Sequence, residues 1–387
     1  MSDLKPLDLL DLDAHLSDEE RQIRDLARAW VRDRILPEVE DWYERGEFPA
    51  RELAKELGEL GFFGMQLPGI GDLGAVAYGL VELELEAGDS GLRSFVSVQS
   101  ALAMFAIHAF GSDEQKAHWL PRMASGDAIG CFGLSEPDSG SDPSSMRTTA
   151  RRDGEDWILN GTKMWITNGG VSDIAVVWAI TDDGIRGFLV PCGLPGFSAP
   201  DIHKKMSLRA SVTSELVMDD VRLPADAILP GVEGLRGPLS CLNEARYGIV
   251  WGVMGAARTC IDTALEYAKT RVQFDRPIAS FQLTQKKLVD MTIELNKGTL
   301  LAYHLGRMKE AGTLRPEQVS VGKLNNTREA IAIARTSRGI LGANGITLEY
   351  PIMRHMTNLE SVLTYEGTEE IHTLVIGAEL TGIRAFT

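Results

Sequence analysis

Apolar side chains recur at helical spacing in the first third of the chain. Ser17 and Glu20 form a capping-box pattern, and the apolar positions from Ile23 to Val31 that follow fall on one helical face. Similar spacing predicts further helices over residues 50–60, 76–86 and 95–109. We therefore expect residues 1–128 to form an N-terminal α-helical domain.

Between residues 129 and 236 the pattern changes to short runs of β-branched and aromatic residues. The segment 156–167 reads DWILNGTKMWIT, two strand-like runs joined at Asn160-Gly161, which is the preferred dipeptide of a two-residue hairpin turn. Further strands are predicted at residues 174–180, 187–190, 214–218 and 221–223. Because prolines punctuate these runs, the pattern favours an antiparallel β-domain over βαβ units.

Helical spacing returns after residue 236. It predicts helices over residues 240–270, 281–311, 316–341 and 369–383. The last is the clearest, since Ile371, Leu374, Val375 and Ala378 follow the i, i+3, i+4, i+7 pattern. The chain therefore reads as an α+β protein with domains 1–128, 129–236 and 237–387.

The amino-acid composition limits the classes of molecule that this chain is expected to bind. The chain has 387 residues, a net charge of −16 and 44% hydrophobic residues. The acidic balance argues against broad binding to nucleic acids or membrane surfaces, which needs an exposed basic field. The first twenty residues are acidic, and the longest uncharged apolar segment, residues 247–257, is too short to span a membrane. We therefore expect a cytoplasmic protein that concentrates its cationic contacts to any anionic ligand in one pocket.

Cysteine and histidine give no metal or redox signature. The four cysteines lie far apart without a CxxC pair, as expected of reduced thiols, and the seven histidines are scattered without ligand spacing. No metal site is predicted. No GxGxxG follows a predicted strand, and the P-loop, HExxH and GxSxG motifs are absent. These absences remove the main support for a Rossmann NAD site and for P-loop nucleotide hydrolysis.

Three polar segments could carry chemistry. The segment FGLSEPDSGSD (132–142) follows an apolar strand and offers backbone N–H groups to a phosphate or a planar polar ring, with a plain surface loop as the alternative. Trp165 and Thr167 lie on alternate strand positions and suit the wall of an aromatic cofactor site, although core packing is the usual fate of such a tryptophan.

The third segment is TYEGTEEI (364–371). Thr368 is a good N-cap for the final helix, and Glu369 and Glu370 then lie in its first turn, where they favour the helix dipole. Glu366 precedes the cap, beside Gly367, where a turn can direct a carboxylate into a cleft.

Several ordered motifs together resemble the flavin-dependent acyl-CoA dehydrogenase family across nearly the whole chain. The matching segments are DSGLRS (89–94), CFGLSEPDSGSDPSSM (131–146), LNGTKMWITN (159–168), LRAS (208–211), NEARYG (243–248), LGANG (341–345) and TYEGTEEIH (364–372). Within the family, the chain most resembles the glutaryl-CoA dehydrogenases. The resemblance implies an acyl-CoA dehydrogenase-like fold with an N-terminal helical domain, a central antiparallel β-domain and a C-terminal helical bundle. It also implies a homotetramer with one non-covalent FAD per subunit.

The resemblance assigns residues to the cofactor. Phe132, Leu134, Ser135, Gly140 and Ser141 would contact the flavin and pyrophosphate, and Trp165, Ile166 and Thr167 would line the isoalloxazine. The FAD of a neighbouring subunit would be reached by Arg271, Phe274, Gln282 and the 341–345 turn with Leu341, Gly342 and Gly345. Thr368 and Glu370 would close the site, which would then depend on oligomerisation.

The resemblance also implies the chemistry. Glu366 matches the catalytic base that removes the weakly acidic α-proton of the thioester, and its main-chain N–H would donate to the thioester oxygen. The β-hydrogen leaves as hydride to flavin N5, and the electrons pass to an electron-transfer flavoprotein. The acyl-CoA substrate would be bound by Arg93, Ser94, Glu86, Tyr365, Gly367, Ser141, Asn243 and Arg246.

Arg93 and Ser94 stand where glutaryl-CoA dehydrogenases bind the distal carboxylate, which needs a cation in an apolar pocket. The predicted reaction turns glutaryl-CoA into crotonyl-CoA and CO2. Alternatively, Arg93 is a surface residue paired with Asp89, and the enzyme acts on short monocarboxylic acyl-CoAs or oxidises glutaryl-CoA without decarboxylation. An FAD-free acyl-CoA-binding protein is the alternative from another class.

Overall fold

The structure, a computed structural model, describes residues 7–385, and its helical, β and helical parts follow the predicted order. The N-terminal part contains α1 (Asp18–Trp30), α2 (Val39–Arg45), α3 (Ala50–Glu59), α4 (Ala75–Gly88), α5 (Ser90–Ser97), α6 (Phe105–Phe110) and α7 (Asp113–Ala124). The central part contains β1 (Gly130–Gly133), β2 (Thr149–Asp153), β3 (Asp156–Thr167), β4 (Ile174–Thr181), β5 (Gly184–Pro191), β6 (Phe197–Ser198) and β7 (Thr213–Leu223).

The C-terminal part is a bundle of long helices. It contains α8 (Arg236–Thr270), a small hairpin of β8 (Val272–Gln273) and β9 (Arg276–Pro277), α9 (Gln282–Glu310), α10 (Pro316–Leu341), α11 (Pro351–Thr364) and α12 (Glu369–Thr381). The predicted helices agree with these bounds to within a few residues. Helix α11 was not predicted, although it precedes the segment that carries Glu366.

The central sheet is mixed, whereas the sequence predicted antiparallel pairing throughout. Its strand order is β1-β4-β2-β3-β7-β6, with β5 paired to β4. Strand β1 runs parallel to β4, and β2 meets β4 in parallel at Thr149 and Ile180, whereas the other pairs are antiparallel. The prediction failed because turn signals report only the pairing of consecutive strands, and these partners are not consecutive.

The predicted hairpin at Asn160-Gly161 is wrong, because β3 runs through both residues. The register with β7 shifts between Leu159 and Gly161, which marks a β-bulge. The Asn160 amide bridges this bulge: Nδ2 donates to Asp220 Oδ1 and Oδ1 accepts from Asp220 N, each at 2.9 Å. The turn-forming residues therefore serve an irregular strand pair instead of a chain reversal.

Strand β4 of the central sheet is buried on both faces. Successive residues along β4 point to opposite faces, so Trp178 and Val177 belong to two separate apolar clusters. The cluster that contains Trp178 extends into both helical parts. The helical stretch Ser90–Phe110 is long and apolar enough to cross a membrane, but 94% of its apolar window is buried inside the protein. It is therefore a core helix, and it brings Arg93 to the centre of the molecule.

Candidate active site

Glu366 lies in the turn between α11 and α12. Its φ of +55° and the φ of +99° at Gly367 place two successive residues in the left-handed region. A side chain at position 367 would be strained at this φ and would approach His372 Nε2 to 2.9 Å, so glycine is required there. Thr368 caps α12 as predicted, with its hydroxyl accepting from Ile371 N at 3.3 Å. The turn thus departs from helix geometry at the residue that carries the carboxylate.

Two cations, the half-buried Arg246 and the buried Lys323, hold this turn by its backbone. Arg246 Nε donates to the Glu366 carbonyl at 2.7 Å, and an Arg246 terminal nitrogen donates to Asn243 Oδ1 at 3.2 Å. Lys323 Nζ, on α10, donates to the carbonyls of Leu363, Tyr365 and Gly367. Since both cations bind main-chain oxygens, the Glu366 side chain stays available for chemistry.

The Glu366 carboxylate is desolvated and incompletely paired. Its Oε2 atom is buried and has no hydrogen-bond partner among residues 7–385. Burial raises the pKa of Glu366, whereas the charges of Arg93, Arg246 and Lys323 lower it. A buried carboxylate with a free lone pair and a raised pKa has the properties of a proton acceptor.

Arg93 lies in a buried polar cluster that contacts the Tyr365 hydroxyl. Its side chain is 1% exposed, and its Nε donates to Glu86 Oε2 at 2.8 Å. The guanidinium also donates to the Tyr365 hydroxyl, whose oxygen is 3.2 Å from Ser94 Oγ. The alternative of a surface pair between Arg93 and Asp89 is therefore wrong.

Asp89 is occupied elsewhere. It caps α5 by accepting from Gly91 N at 2.6 Å, and its other oxygen pairs with Arg354 on α11 at 2.5 Å. The i, i+4 spacing that suggested an Asp89–Arg93 pair cannot reveal a partner so far away in the sequence.

A second acid, Glu82, faces the same arginine. Glu82 Oε2 is 4.0 Å from Arg93 Nε, and neither Glu82 oxygen has a hydrogen-bond partner among residues 7–385. Burial raises the pKa of Glu82 to about 8, with the Arg93 charge opposing and the Glu86 charge adding to the rise. Helix α8 packs against these acids at Gly252, where a Cβ would lie 2.2 Å from Glu86 Oε2.

The end of β3 offers a surface that suits a planar cofactor. Trp165 is 61% exposed with a φ of +64°, at a second register shift between β3 and β7, so it is not a core tryptophan. Ser135 and Thr167 are half-buried nearby, and Met164 N donates to the Ser135 carbonyl at 2.8 Å. Within the described chain β2 pairs with β3 only as far as Asn160, so this edge of β3 lacks a strand partner. An exposed indole beside an open strand edge fits the flat, polar ring of a flavin.

The other residues predicted to contact the cofactor differ in solvent exposure. Phe132, Leu134 and Ile166 are buried, and Gly140 and Ser141 are exposed in the loop after β1. Within residues 7–385 no hydrogen bond joins Ser141 to Asn243 or Arg246, which the sequence analysis grouped with it.

Another group lies on the surface of the C-terminal bundle. Arg271, Gln282 and Glu370 are exposed, and Phe274, in the β8–β9 turn, is 87% exposed. In the turn after α10, Gly342 is exposed, whereas Leu341 and Gly345 are buried. An exposed phenylalanine at a hairpin tip is an apolar surface that a second subunit could cover.

Sequence reasoning missed three buried polar residues of this site: Glu82, Lys323 and His372. All are at most 1% exposed, and neither ring nitrogen of His372 has a partner among residues 7–385. Burial lowers the pKa of His372 to about 3, so its ring is neutral. A signal existed for Lys323, which shares the apolar face of its helix with Val319 and Ala330.

No group of three or more metal-ligating side chains occurs in the described part of the chain. The site therefore consists of one base-like carboxylate, a buried arginine cluster and an exposed aromatic wall. A carboxylate that can accept a proton, placed near a surface that suits a planar ring, makes this region the candidate active site.

The N-terminal, middle and C-terminal domain models of the acyl-CoA dehydrogenases match residues 17–127, 131–221 and 233–381. The chain therefore belongs to the acyl-CoA dehydrogenase family. Its fold matches a crystal structure of glutaryl-CoA dehydrogenase from Mycobacterium smegmatis with a TM-score of 0.97 and 68% identity, over 98% of this chain and 99% of that one. A second structure, of a glutaryl-CoA dehydrogenase from the same organism in complex with FADH2, gives 0.98 and 63%, over 99% and 100%.

A more distant relative is the human short-chain specific acyl-CoA dehydrogenase of mitochondria. It is 38% identical over 343 residues, which cover 86% of this chain and 83% of that protein. These comparisons confirm the predicted family, fold and cofactor. The chain is an FAD-dependent acyl-CoA dehydrogenase.

Proposed function

We propose that this enzyme oxidises glutaryl-CoA and releases CO2, giving crotonyl-CoA. The observation that carries the proposal is the buried Arg93, which is 1% exposed and donates to the hydroxyl of Tyr365, the residue that precedes Glu366. The hydrogen bonds to Glu86 and Tyr365 use two of the five N–H donors of the Arg93 guanidinium, so donors remain for a further anion. A terminal carboxylate is the anion that distinguishes a glutaryl chain from a butyryl chain. The high identity to glutaryl-CoA dehydrogenases supports the same assignment.

Glu366 acts as the base in this proposal. Its unpaired Oε2 accepts the α-proton, and its main-chain N–H donates to the thioester oxygen, where negative charge develops. Arg246 and Asn243 keep the turn in place through the Glu366 carbonyl. Desolvation strengthens the base, because water no longer competes for the carboxylate.

FAD, when bound, supplies the acceptor for the hydride that leaves the β-carbon. Trp165, Ile166 and Thr167 would form its wall, with Phe132, Leu134, Ser135, Gly140 and Ser141 on the adjoining strand and loop. Thr368 and Glu370 would close the site from the start of α12. The site of a neighbouring subunit in a homotetramer would be completed by Arg271, Phe274, Gln282, Leu341, Gly342 and Gly345.

The arginine cluster supports the decarboxylation step of this proposal, because it would hold the distal carboxylate of the substrate. After oxidation, the bond between the γ-carbon and the distal carboxylate breaks, and its electron pair is delocalised toward the thioester. Arg93 and Ser94 would hold that carboxylate until CO2 leaves. Tyr365 and Glu86, which contact Ser94 and Arg93, would then lie close to the γ-carbon that takes up a proton. The electrons removed in the first step pass to an electron-transfer flavoprotein.

The test is anaerobic incubation of the yellow holoenzyme with glutaryl-CoA and an artificial electron acceptor. We expect crotonyl-CoA and CO2 in equal amounts. Glutaconyl-CoA that accumulates without CO2 would place the enzyme among non-decarboxylating dehydrogenases. A clear preference for butyryl-CoA in the same assay would instead support the short-chain monocarboxylic function.

A further inference from the structure

The ammonium group of Lys323 is buried beneath the turn that carries Glu366. The residue is 1% exposed, and Nζ lies 3.2, 3.1 and 2.8 Å from the carbonyl oxygens of Leu363, Tyr365 and Gly367. These three acceptors use all three N–H bonds of a protonated lysine, and a neutral amine could serve only two. The contacts flank Glu366 on both sides without touching its side chain.

A buried cation with only carbonyl partners needs an explanation. Burial lowers the pKa of Lys323 to about 7, and the Glu366 carboxylate opposes that fall. The other charges that act on the group are those of Arg246, Arg93 and Glu369, of which only Glu369 favours the charged lysine. An apolar residue at position 323 would avoid this desolvation, yet the apolar face of α10 carries a lysine here.

We propose that Lys323 is a positioning residue for the base. Its ammonium group fixes the left-handed turn at residues 363–367, and its charge favours the ionised form of the Glu366 carboxylate before proton abstraction. This inference rests on the proposed role of Glu366. It adds that efficient proton abstraction by Glu366 requires the Lys323 ammonium group bound to the carbonyl oxygens of the same turn.

The experiment compares Lys323→Met with the wild-type holoenzyme on glutaryl-CoA and butyryl-CoA. We expect kcat to fall about 100-fold on both thioesters, because both use the same base. The KM values should change by less than about threefold. The acid limb of the kcat/KM profile should move to higher pH by roughly one unit, since the carboxylate loses a favourable charge. A purely structural role would not move that limb.

Lys309→Met is the matched control, because Lys309 lies on α9 and pairs with Glu244 at 2.6 Å, outside the base turn. It should leave the acid limb in place. A folded, yellow Lys323→Met enzyme with wild-type kcat and acid limb would overturn the inference. If methionine prevents folding, Lys323→Gln keeps two donors, and an unmoved acid limb in that variant has the same meaning.

Glu366→Gln, measured in parallel, separates this inference from the proposed function. If that variant turns over normally, the base assignment fails whatever Lys323 does. If it is inactive while Lys323→Met behaves as wild type, only the role of Lys323 fails.

Discussion

The proposed acyl site has two ends, the Glu366 turn and the Arg93 cluster, which use charge in opposite ways. Around Glu366, one carboxylate is influenced by three cations: Arg246 and Lys323 bind the backbone of its turn, and the third is Arg93 itself, so the two ends share one cation. Around Arg93, one cation lies among two acids and a phenol. The surplus of positive charge at the first end suits a base that must ionise and an enolate that must form. The second end is nearly neutral before substrate arrives, so it can select a carboxylate without binding every anion.

This contrast predicts that Glu366→Gln has the largest effect on turnover. The amide cannot accept the α-proton, so kcat should fall by about 10³–10⁴-fold on every acyl-CoA. FAD content and the visible spectrum should stay as in wild type, because the predicted flavin contacts of this region come from neighbouring residues. Stopped-flow reduction of the flavin by substrate is the measurement. Rapid reduction of the flavin in this variant would show that Glu366 is not the base.

Arg93→Ala should affect glutaryl-CoA turnover more than butyryl-CoA turnover, although the loss of its charge also raises the pKa of Glu366 for both substrates. Turnover of glutaryl-CoA should fall on the order of 100-fold more than that of butyryl-CoA, since only the former has a distal carboxylate. Removing one partner of a buried ion pair also destabilises the fold, by about 3–5 kcal/mol. The ratio of kcat/KM for the two substrates within one preparation is therefore the readout. Equal losses on both would mean that the cluster is structural.

Glu82 sharpens the comparison through pH. With a pKa of about 8, Glu82 is protonated at pH 7 and becomes an anion as the pH rises through 8. The charges that face it are Arg93, Glu86 and Glu366, with the Tyr78 phenol beside them, so ionisation adds negative charge next to Arg93. We expect the KM for glutaryl-CoA, but not for butyryl-CoA, to rise about tenfold between pH 7 and 9.

Glu82→Gln is the matched variant, because the amide keeps the shape and cannot ionise. It should abolish the rise of KM above pH 8 while leaving the value at pH 7 close to wild type. A wild-type profile that is flat to pH 9 would contradict the predicted protonation state of Glu82.

The smallest expected effect is that of Asn243→Ala at the base end. It removes the 3.2 Å hydrogen bond to Arg246 but leaves the contact of Arg246 with the Glu366 carbonyl. One such bond contributes about 1 kcal/mol, so kcat should fall roughly fivefold with little change in substrate preference. A change in the ratio of glutaryl-CoA to butyryl-CoA turnover would show that the two ends are coupled.

Much of the base turn could be predicted from local rules. Thr368 and the two glutamates after it are explained by helix capping, which left Glu366 as the unexplained carboxylate. Arg93 was harder, because its partners Glu86 and Tyr365 are separated from it by 7 and 272 residues. The i, i+4 spacing favoured Asp89 as the partner of Arg93, but Asp89 pairs with Arg354 instead. Such a partner, distant in the sequence, is visible only in the tertiary structure.

The sheet shows the same limit. Asn160-Gly161 has the composition of a tight turn, but its pairing with β7 turns it into a bulge within a long strand. Lys323 illustrates a third case, because periodicity places it on a buried face without saying what its ammonium group binds. Local propensity therefore gave the elements, whereas long-range contacts decided the chemistry.

The close approach of α8 at Gly252 limits how the enzyme could be redesigned. Glycine has no side chain to shorten, and the Glu86 carboxylate already occupies the space in front of it. Room for a longer diacid therefore cannot be created by substitution of Gly252. At this point, room would have to come from shortening Glu86 or Arg93, the groups proposed to recognise the acid, so such a change would alter chain-length tolerance and diacid selectivity together.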